Sequence, residues 1–508
     1  MSGPRTAGEP VSLAWLLDGI APAATSTAAA MQVADLTLDS REVRPGTLFF
    51  ALAGGRRHGL EFAAQAAERG ARTILWEPAA GLGVPALPAD VFAAPIPELP
   101  KLLGRIADRF FGRPSQNLRV CGVTGTNGKT TCAYLLAQCL ELLGVRSAYI
   151  GTLGLGRVGA LASPSHTTPD VIRVHRTLAE LRADGVHDVA IEVSSHALDQ
   201  GRVDGVRFHT AAFTNLTRDH LDYHGTMEAY GEAKALLFAR PELAHLVLNV
   251  GDEFGRRLAE LAPRDVPVTA VWVGSGAFAQ AGRQNLQVTS VTPDVRGLSL
   301  ALRGSDGPLL LRSSLIGRFN AENLVVVLAC LLGLGVPVEE AVAALRLCTA
   351  APGRMQLIAA ANEHGPIAVI DYAHTPDALA KALRALREHC RGLLWCVFGC
   401  GGDRDPGKRP IMGAVAEKLA DRIIVTDDNP RSEDPAAITD AILAGITEPK
   451  VRVLHDRGAA IAAALTEAAA GDWVLIAGKG HEEYQIYGQS RKAFSDSREA
   501  MRLLGVAA

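Results

Sequence analysis

Short apolar runs recur along the chain, separated by segments long enough for a helix. Ten of them, rich in Val, Ile, Leu, Ala and aromatic residues, predict strands at 119–124, 147–151, 188–193, 210–215, 246–250, 368–371, 393–399, 422–426, 451–454 and 472–477. Strand and helix alternating in this way predict α/β domains with largely parallel sheets, because parallel neighbours need a crossover between them. The period changes between about 284 and 311, where Leu286, Val288, Val291, Leu298, Leu300 and Leu302 alternate with polar residues. That stretch predicts an antiparallel hairpin, a small β appendage on a mostly parallel sheet. Gly and Pro cluster at 111–115 and 350–354, each just ahead of a set of strands, and mark connections. The implied domains are 1–112, 113–350 and 351–508, which fits a chain of 508 residues at roughly 150 residues per domain.

Composition narrows the partners. With 48% hydrophobic and 21% charged residues the chain has enough apolar surface to fold. Its 51 Lys+Arg against 54 Asp+Glu leave a net charge of −3, so no bulk positive field holds nucleic acid. The first residues do not read as a signal peptide, and no uncharged apolar run reaches the ~20 residues of a membrane span, so no membrane association and a cytoplasmic location are expected. Eight cysteines without a CxxC pair are expected to be buried thiols rather than metal or redox sites.

The sharpest chemical signal is the run Val120-Cys-Gly-Val-Thr-Gly-Thr-Asn-Gly-Lys-Thr-Thr131. A strand enters a glycine-rich turn and a helix follows. Glycines let backbone N–H groups curl around phosphate oxygens, the helix N-terminus adds positive potential, Lys129 is placed for the outer phosphates, and a Thr hydroxyl suits Mg²⁺. The run departs from the strict G-x4-GK[ST] form, since Val123 stands where the first Gly belongs. Glu192 closes an apolar strand ahead of Ser194, Ser195 and His196, a placement that suits Mg²⁺ beside phosphates and equally suits a solvated loop acid. Asp219, His220, Asp222 and His224 cluster after the next strand and read either as metal-binding or as a polar loop; Lys234, by its residue context alone, is a helix lysine.

Four later strand ends lead into charged loops, at 371–377, 399–405, 427–431 and 478–482. Turn chemistry explains any one of them. Together they present Arg404, Arg431 and Glu482, a set suited to a zwitterion with carboxylate and ammonium ends.

Gly125-Thr-Asn-Gly-Lys-Thr130, Glu192-Val-Ser-Ser-His196, Asp219-His-Leu-Asp-Tyr-His-Gly225, Asp371-Tyr-Ala-His374 and Asp428-Asn-Pro-Arg431 resemble the motifs of the Mur ligases of bacterial peptidoglycan synthesis, in order from Leu38-Asp-Ser-Arg41 to Gly478-Lys-Gly-His-Glu482. The resemblance implies a UDP-substrate domain, a central ATPase domain and a C-terminal Rossmann-like domain that closes over the site. It implies ATP and Mg²⁺ as cofactors, UDP-N-acetylmuramoyl-L-alanyl-D-glutamate and meso-diaminopimelate as substrates, and a monomer. By motif match Leu38, Ser40, Gly55, Arg56 and Arg57 lie near UDP, and Thr167, Thr168, Ser194, Gln200 and Arg202 hold the muramoyl peptide. Gly125, Thr126, Asn127, Gly128, Lys129, Thr130, Thr131, Asn320, Asn323, Arg354 and Asp371 meet ATP. Thr130, Glu192, His220 and a carbamylated Lys234 are the implied metal ligands, with Lys129, His220 and Lys234 as the catalytic set. Arg404, Asp428, Asn429, Pro430, Arg431, Gly478 and Glu482 take the diaminopimelate, while His166 departs from the Asn of some relatives.

The implied chemistry follows from charge. A carboxylate is a poor electrophile, so it first accepts the γ-phosphoryl group and becomes an acyl phosphate, which the amine then attacks. Diaminopimelate differs from lysine by one distal carboxylate, for which Arg431 offers a two-point fork with Arg404 in support and Glu482 on the ammonium; an Arg431 that only pins its own loop to Asp427 or Asp428 is the other reading. Rival functions are a lysine-adding Mur ligase, a folylpolyglutamate synthetase relative, and a P-loop switch or motor. A ligase hydrolyses little ATP until acceptor and amine are both present, and a motor does not wait for them.

Overall fold

A computed structural model describes residues 9–506 apart from 22–28, 56, 163–165, 277–283, 296, 306, 362–364 and 449–450. The chain separates into two compact units, one formed by 1–129, 143–248 and 252–268, the other by 130–142, 249–251 and 269–508.

The first unit opens with a four-stranded parallel sheet in the order Asp35–Thr37, Thr47–Ala51, Thr73–Trp76, Phe92–Pro95. The sequence pattern had predicted no strand before residue 119. The two central strands escape an alternation test because both faces are covered: Leu48 and Phe50 pack with Leu13, Leu36, Leu99 and Ile106, and Phe49 packs with Leu60, Ala63 and Ile74 on the other side. The first of these cores also takes Val171 and Ile172 from the Val171–Ala183 helix, whose Arg176 pairs with Asp35 (2.8 Å) and donates to Leu36 O (2.7 Å). The N-terminal sheet is thereby fastened to the strands that follow it.

Those strands run in the order Gly154–Gly156, Ser147–Gly151, Asp188–Glu192, Arg119–Thr124, Thr210–Phe213, His245–Asn249, parallel except for the first pair. Each of the five predicted in this part begins within one residue of its expected start. The glycine-loop strand Arg119–Thr124 lies at the centre, flanked by the two strands whose carboxyl ends carry Glu192 and Thr214.

In the second unit the expected hairpin is a three-stranded antiparallel meander, Gln284–Asp294, Gly297–Gly304, Gly307–Ser313, and its first strand runs parallel to Val268–Val273. The third strand alternates in burial but not in residue type, with exposed Leu310 beside buried Leu311. Beyond it a six-stranded sheet runs Gln356–Ala359, Ile367–Asp371, Trp473–Ala477, Leu394–Phe398, Arg422–Val425, Val451–Val453, parallel after an antiparallel first pair. Helices cover both faces. Leu379, Leu383, Met412 and Ile438 pack on one side, and Ile461, Ala464 and Ala500 on the other, which is the doubly wound Rossmann-like arrangement. All eight cysteines are buried and free, as the composition suggested. The cysteine sulfurs of Cys139 and Cys348 meet (3.2 Å), whereas Cys400 lies against Met412 Sδ (3.7 Å).

Candidate active site

Ligands of parallel sheets gather at the carboxyl ends of strands, and in the first unit the chemistry-bearing side chains do so. Gly125 and Gly128 take φ of 147° and 87°, and a Cβ on Gly125 would stand 1.9 Å from Thr214 Oγ1, so this turn requires glycine. The next strand's loop braces it: Asn215 O accepts from Thr126 N (2.8 Å), Asn215 Oδ1 accepts from Asn127 N (2.9 Å), and Thr214 Oγ1 donates to Asn127 O (2.6 Å). Lys129 opens the Lys129–Leu142 helix and curls back, donating from Nζ to Gly125 O and Thr126 O at 2.8 Å each. Thr130 follows it in the first turn, buried, and Thr131 is half-buried.

Lys234 stands in an unusual setting for a lysine. It is 1% exposed, donates to Gly125 O (2.9 Å), and sits 4.3 Å from the centre of the Tyr230 ring. Burial, then the charge of Lys129, pulls its pKa well below that of an ordinary lysine, against an opposing pull from Asp219. The amine is therefore biased to its neutral, nucleophilic form. Tyr230 Oη meets Thr126 Oγ1 (3.2 Å), tying this helix to the phosphate loop. His220 adopts φ 52°, a left-handed conformation that needs local support in a residue with a Cβ. Its ring lies 4.9 Å from that of His196, whose pKa is lowered by burial and then by His220 and His224.

Glu192 is fully buried at its strand end, with Tyr149 Oη and Thr152 N (2.9 Å) donating to Oε1. Thr168 Oγ1 donates to Glu192 O (2.7 Å), Ser194 caps the Ser195–Asp199 helix, and Arg202 bonds Thr168 O (3.1 Å) and Gln200 Oε1 (2.6 Å). Thr167 is linked to Thr152 (3.0 Å), so the five residues expected on the muramoyl peptide do come together, whereas His166 is exposed. In the N-terminal sheet, half-buried Leu38 precedes Ser40, which donates to Gln65 Oε1 (2.7 Å). Gly55 and Arg57 form an exposed turn closed by Gly54 N to Arg57 O (3.0 Å), and Arg56 lies outside the described residues. A cavity of about 910 Å³ opens at the opposite, amino ends of the strands. Its Arg119 is bound by Asp188 (2.7 Å) and its Arg146 donates to Asp184 O (3.4 Å), so these cations serve the fold there.

In the second unit the four charged loops share one sheet edge, as expected. Asp371 is half-buried, and desolvation raises its pKa against the pull of Arg354, whose guanidinium lies 4.8 Å over the Tyr372 ring. Arg354 Nε and His481 Nδ1 are buried without a hydrogen-bond partner among the described residues. Asn320 and Asn323 are buried with their amides spent internally, Asn323 Nδ2 on Asn320 Oδ1 and Asn320 Nδ2 on Ile316 O, both 2.8 Å. Asp428 is buried, and the Gly478 turn passes so close that a Cβ there would be 2.4 Å from its Oδ2.

Two details bear on the diaminopimelate set. Glu482 is already bound by Lys479 (3.0 Å) and Asn429 (2.9 Å), so any ligand ammonium shares it with a buried lysine. Arg431 bonds neither Asp427 nor Asp428; it takes φ 55° after Pro430 and donates to Gly402 O (2.7 Å) of the loop carrying exposed Arg404. Asp427 is engaged by His455 (2.9 Å) and Tyr487 (3.0 Å). Sequence reading gave no role to Tyr149, Thr152 and Tyr230, which stand outside the quoted motifs, or to Lys479, which stands within one.

Family models match the chain in series: "Mur ligase family, catalytic domain" over 32–111, "Mur ligase middle domain" over 123–331 and "Mur ligase, glutamate ligase domain" over 353–480. The chain is 48% identical to the UDP-N-acetylmuramoyl-L-alanyl-D-glutamate–2,6-diaminopimelate ligase of Ectopseudomonas mendocina (strain ymp), covering 96% of this chain and 98% of that one. It is 50% identical to the ligase of the same name from Xanthomonas campestris pv. campestris (strain 8004), covering 93% and 94%. A solved structure of a ligase of that name matches with a TM-score of 0.70 at 34% identity, over 98% and 99% of the two chains.

Proposed function

The chain belongs to the Mur ligase family, and we propose that it is the ATP-dependent ligase that adds meso-2,6-diaminopimelate to UDP-N-acetylmuramoyl-L-alanyl-D-glutamate in peptidoglycan synthesis. The observation that carries this reading is near-full-length identity of 48–50% to diaminopimelate-adding ligases. It is a cytoplasmic monomer of three domains, 1–112, 113–350 and 351–508. No helix among the described residues is long and apolar enough to cross a membrane.

The glycine turn and Lys129 bind the triphosphate, with Lys129 trading its two loop carbonyls for phosphate oxygens. Thr168, Ser194, Gln200 and Arg202 hold the acceptor peptide. Its D-Glu γ-carboxylate attacks the γ-phosphorus, ADP departs, and an acyl phosphate forms. The amine of diaminopimelate then attacks the acyl carbon, loses a proton, and phosphate leaves as the amide forms. Asn320, Asn323, Arg354 and Asp371 serve the nucleotide. Arg431 with Arg404 takes the distal carboxylate, in loops shaped by Asp428, Asn429, Pro430, Gly478 and Glu482.

The donor set suits magnesium. Glu192 is a buried, oriented carboxylate, and the neutral amine of Lys234 can add CO₂ to become a second anionic oxygen donor, with His220 nearby. Bound there, magnesium would offset the repulsion between carboxylate and triphosphate.

The test is phosphate release with ATP, UDP-N-acetylmuramoyl-L-alanyl-D-glutamate and meso-diaminopimelate, with each omitted in turn, and mass spectrometry of the product. Release that needs all three, with an amide product, is expected. Steady ATP hydrolysis indifferent to acceptor and amine would refute the reading.

A further inference from the structure

Thr152 has no part in the scheme above, yet it touches both halves of it. Its backbone N–H donates to Glu192 Oε1 (2.9 Å), and its Oγ1 lies 3.3 Å from Glu192 Oε2 and 3.0 Å from Thr167 Oγ1. Room for this approach comes from Gly151, where a Cβ would stand 2.3 Å from Glu192 Oε1. The residue assigned to magnesium and a threonine assigned to the acceptor peptide are thus joined through one hydroxyl.

A hydroxyl carries one proton. Thr152 Oγ1 can give it to Glu192 Oε2 or to Thr167 Oγ1, but not to both. While Glu192 accepts it, the Thr152–Thr167 bond has to use the proton of Thr167. Once a cation engages Oε2, the longer, 3.3 Å bond is the one that yields, and the Thr152 proton turns to Thr167. The Thr167 proton is then released to donate to an anionic acceptor. We propose that Thr152 is a positioning residue that couples occupancy of Glu192 by the magnesium–nucleotide to the hydrogen-bonding state of Thr167, and so to acceptor affinity. This rests on the placing of Glu192 and Thr167 in the functional reading.

The experiment is calorimetric titration of UDP-N-acetylmuramoyl-L-alanyl-D-glutamate into the full chain, with and without magnesium and a non-hydrolysable ATP analogue, for wild type, Thr152→Val and Thr152→Ser. Nucleotide should tighten acceptor binding to wild type by about 3- to 10-fold, the worth of one hydrogen bond, and by linkage the acceptor should tighten nucleotide binding by the same factor. Thr152→Val should lose that factor while binding acceptor alone at least as tightly as wild type, because its Thr167 proton is already released. General damage to the site would weaken that binding instead. Thr152→Ser should keep the coupling. Coupling of wild-type size in Thr152→Val, or none in wild type, overturns the proposal and leaves the functional reading standing. A wild type that binds no acceptor overturns both.

Discussion

Lys129 and Lys234 both donate to Gly125 O, and the proposed mechanism asks opposite things of them. Lys129 has to stay cationic where negative charge is transferred, so Lys129→Ala should lower kcat by about 10²-fold or more with an unchanged circular dichroism spectrum. Near-native turnover at saturating ATP would contradict its role. Lys234 has to give up its proton. Its pKa is lowered in the folded state, so between that lowered value and the ordinary lysine range near ~10.4 the unfolded chain binds more protons, and stability rises with pH through this window. At neutral pH the buried amine is a cost to stability. Lys234→Met should therefore be inactive yet melt about 2 °C or more higher at pH 7, and wild type should regain activity when bicarbonate is restored to a bicarbonate-free preparation. A lower melting point for Lys234→Met, or activity indifferent to bicarbonate, would count against a neutral, carbamylated lysine.

Elements set where these residues stand, and the sequence revealed the elements unevenly. The ten predicted strands are present, and all but the partly exposed Val451–Val453 are largely buried apolar runs. The N-terminal sheet stayed hidden because its strands are three to five residues long and the two central ones are buried on both faces, leaving no period to read. Of the site, the glycine turn was legible from spacing alone. Lys234 looked like any helix lysine, since its altered state comes from burial against a loop more than a hundred residues away. The grip of Lys479 on Glu482 was equally invisible, because both residues sit in one loop and nothing in their order says which faces inward. The Gly151 strand end gives a test at this scale. Gly151→Ala would drive a methyl group into Glu192 Oε1 and Tyr149 Oη, and should raise the magnesium concentration for half-maximal activity severalfold through a displaced carboxylate. An unchanged magnesium dependence would show that Glu192 does not depend on this close approach.

Across the whole molecule, the second unit holds its loops with a buried ion pair. Arg457 and Asp496 are both fully buried and joined by two bonds of 2.7 and 2.8 Å, and Arg457 also donates to Asp427 O and Ala477 O, the ends of two strands that carry site loops. Arg457→Met strands a buried carboxylate and should cost about 3–5 kcal/mol in a denaturant titration. Adding Asp496→Leu should recover much of it, and a loss below about 1 kcal/mol for Arg457→Met would contradict the pair's structural role. The loops so held bear on the amine, and the amine is the substance of the proposed activity. The most direct measurement is kcat/KM for meso-diaminopimelate and for L-lysine, in wild type and in Arg431→Ala. Wild type should prefer diaminopimelate by roughly 10⁴-fold, because lysine lacks the distal carboxylate for which the Arg431 fork is proposed, and Arg431→Ala should collapse that preference mainly through loss of diaminopimelate. Equal use of both amines by wild type would contradict the assigned activity.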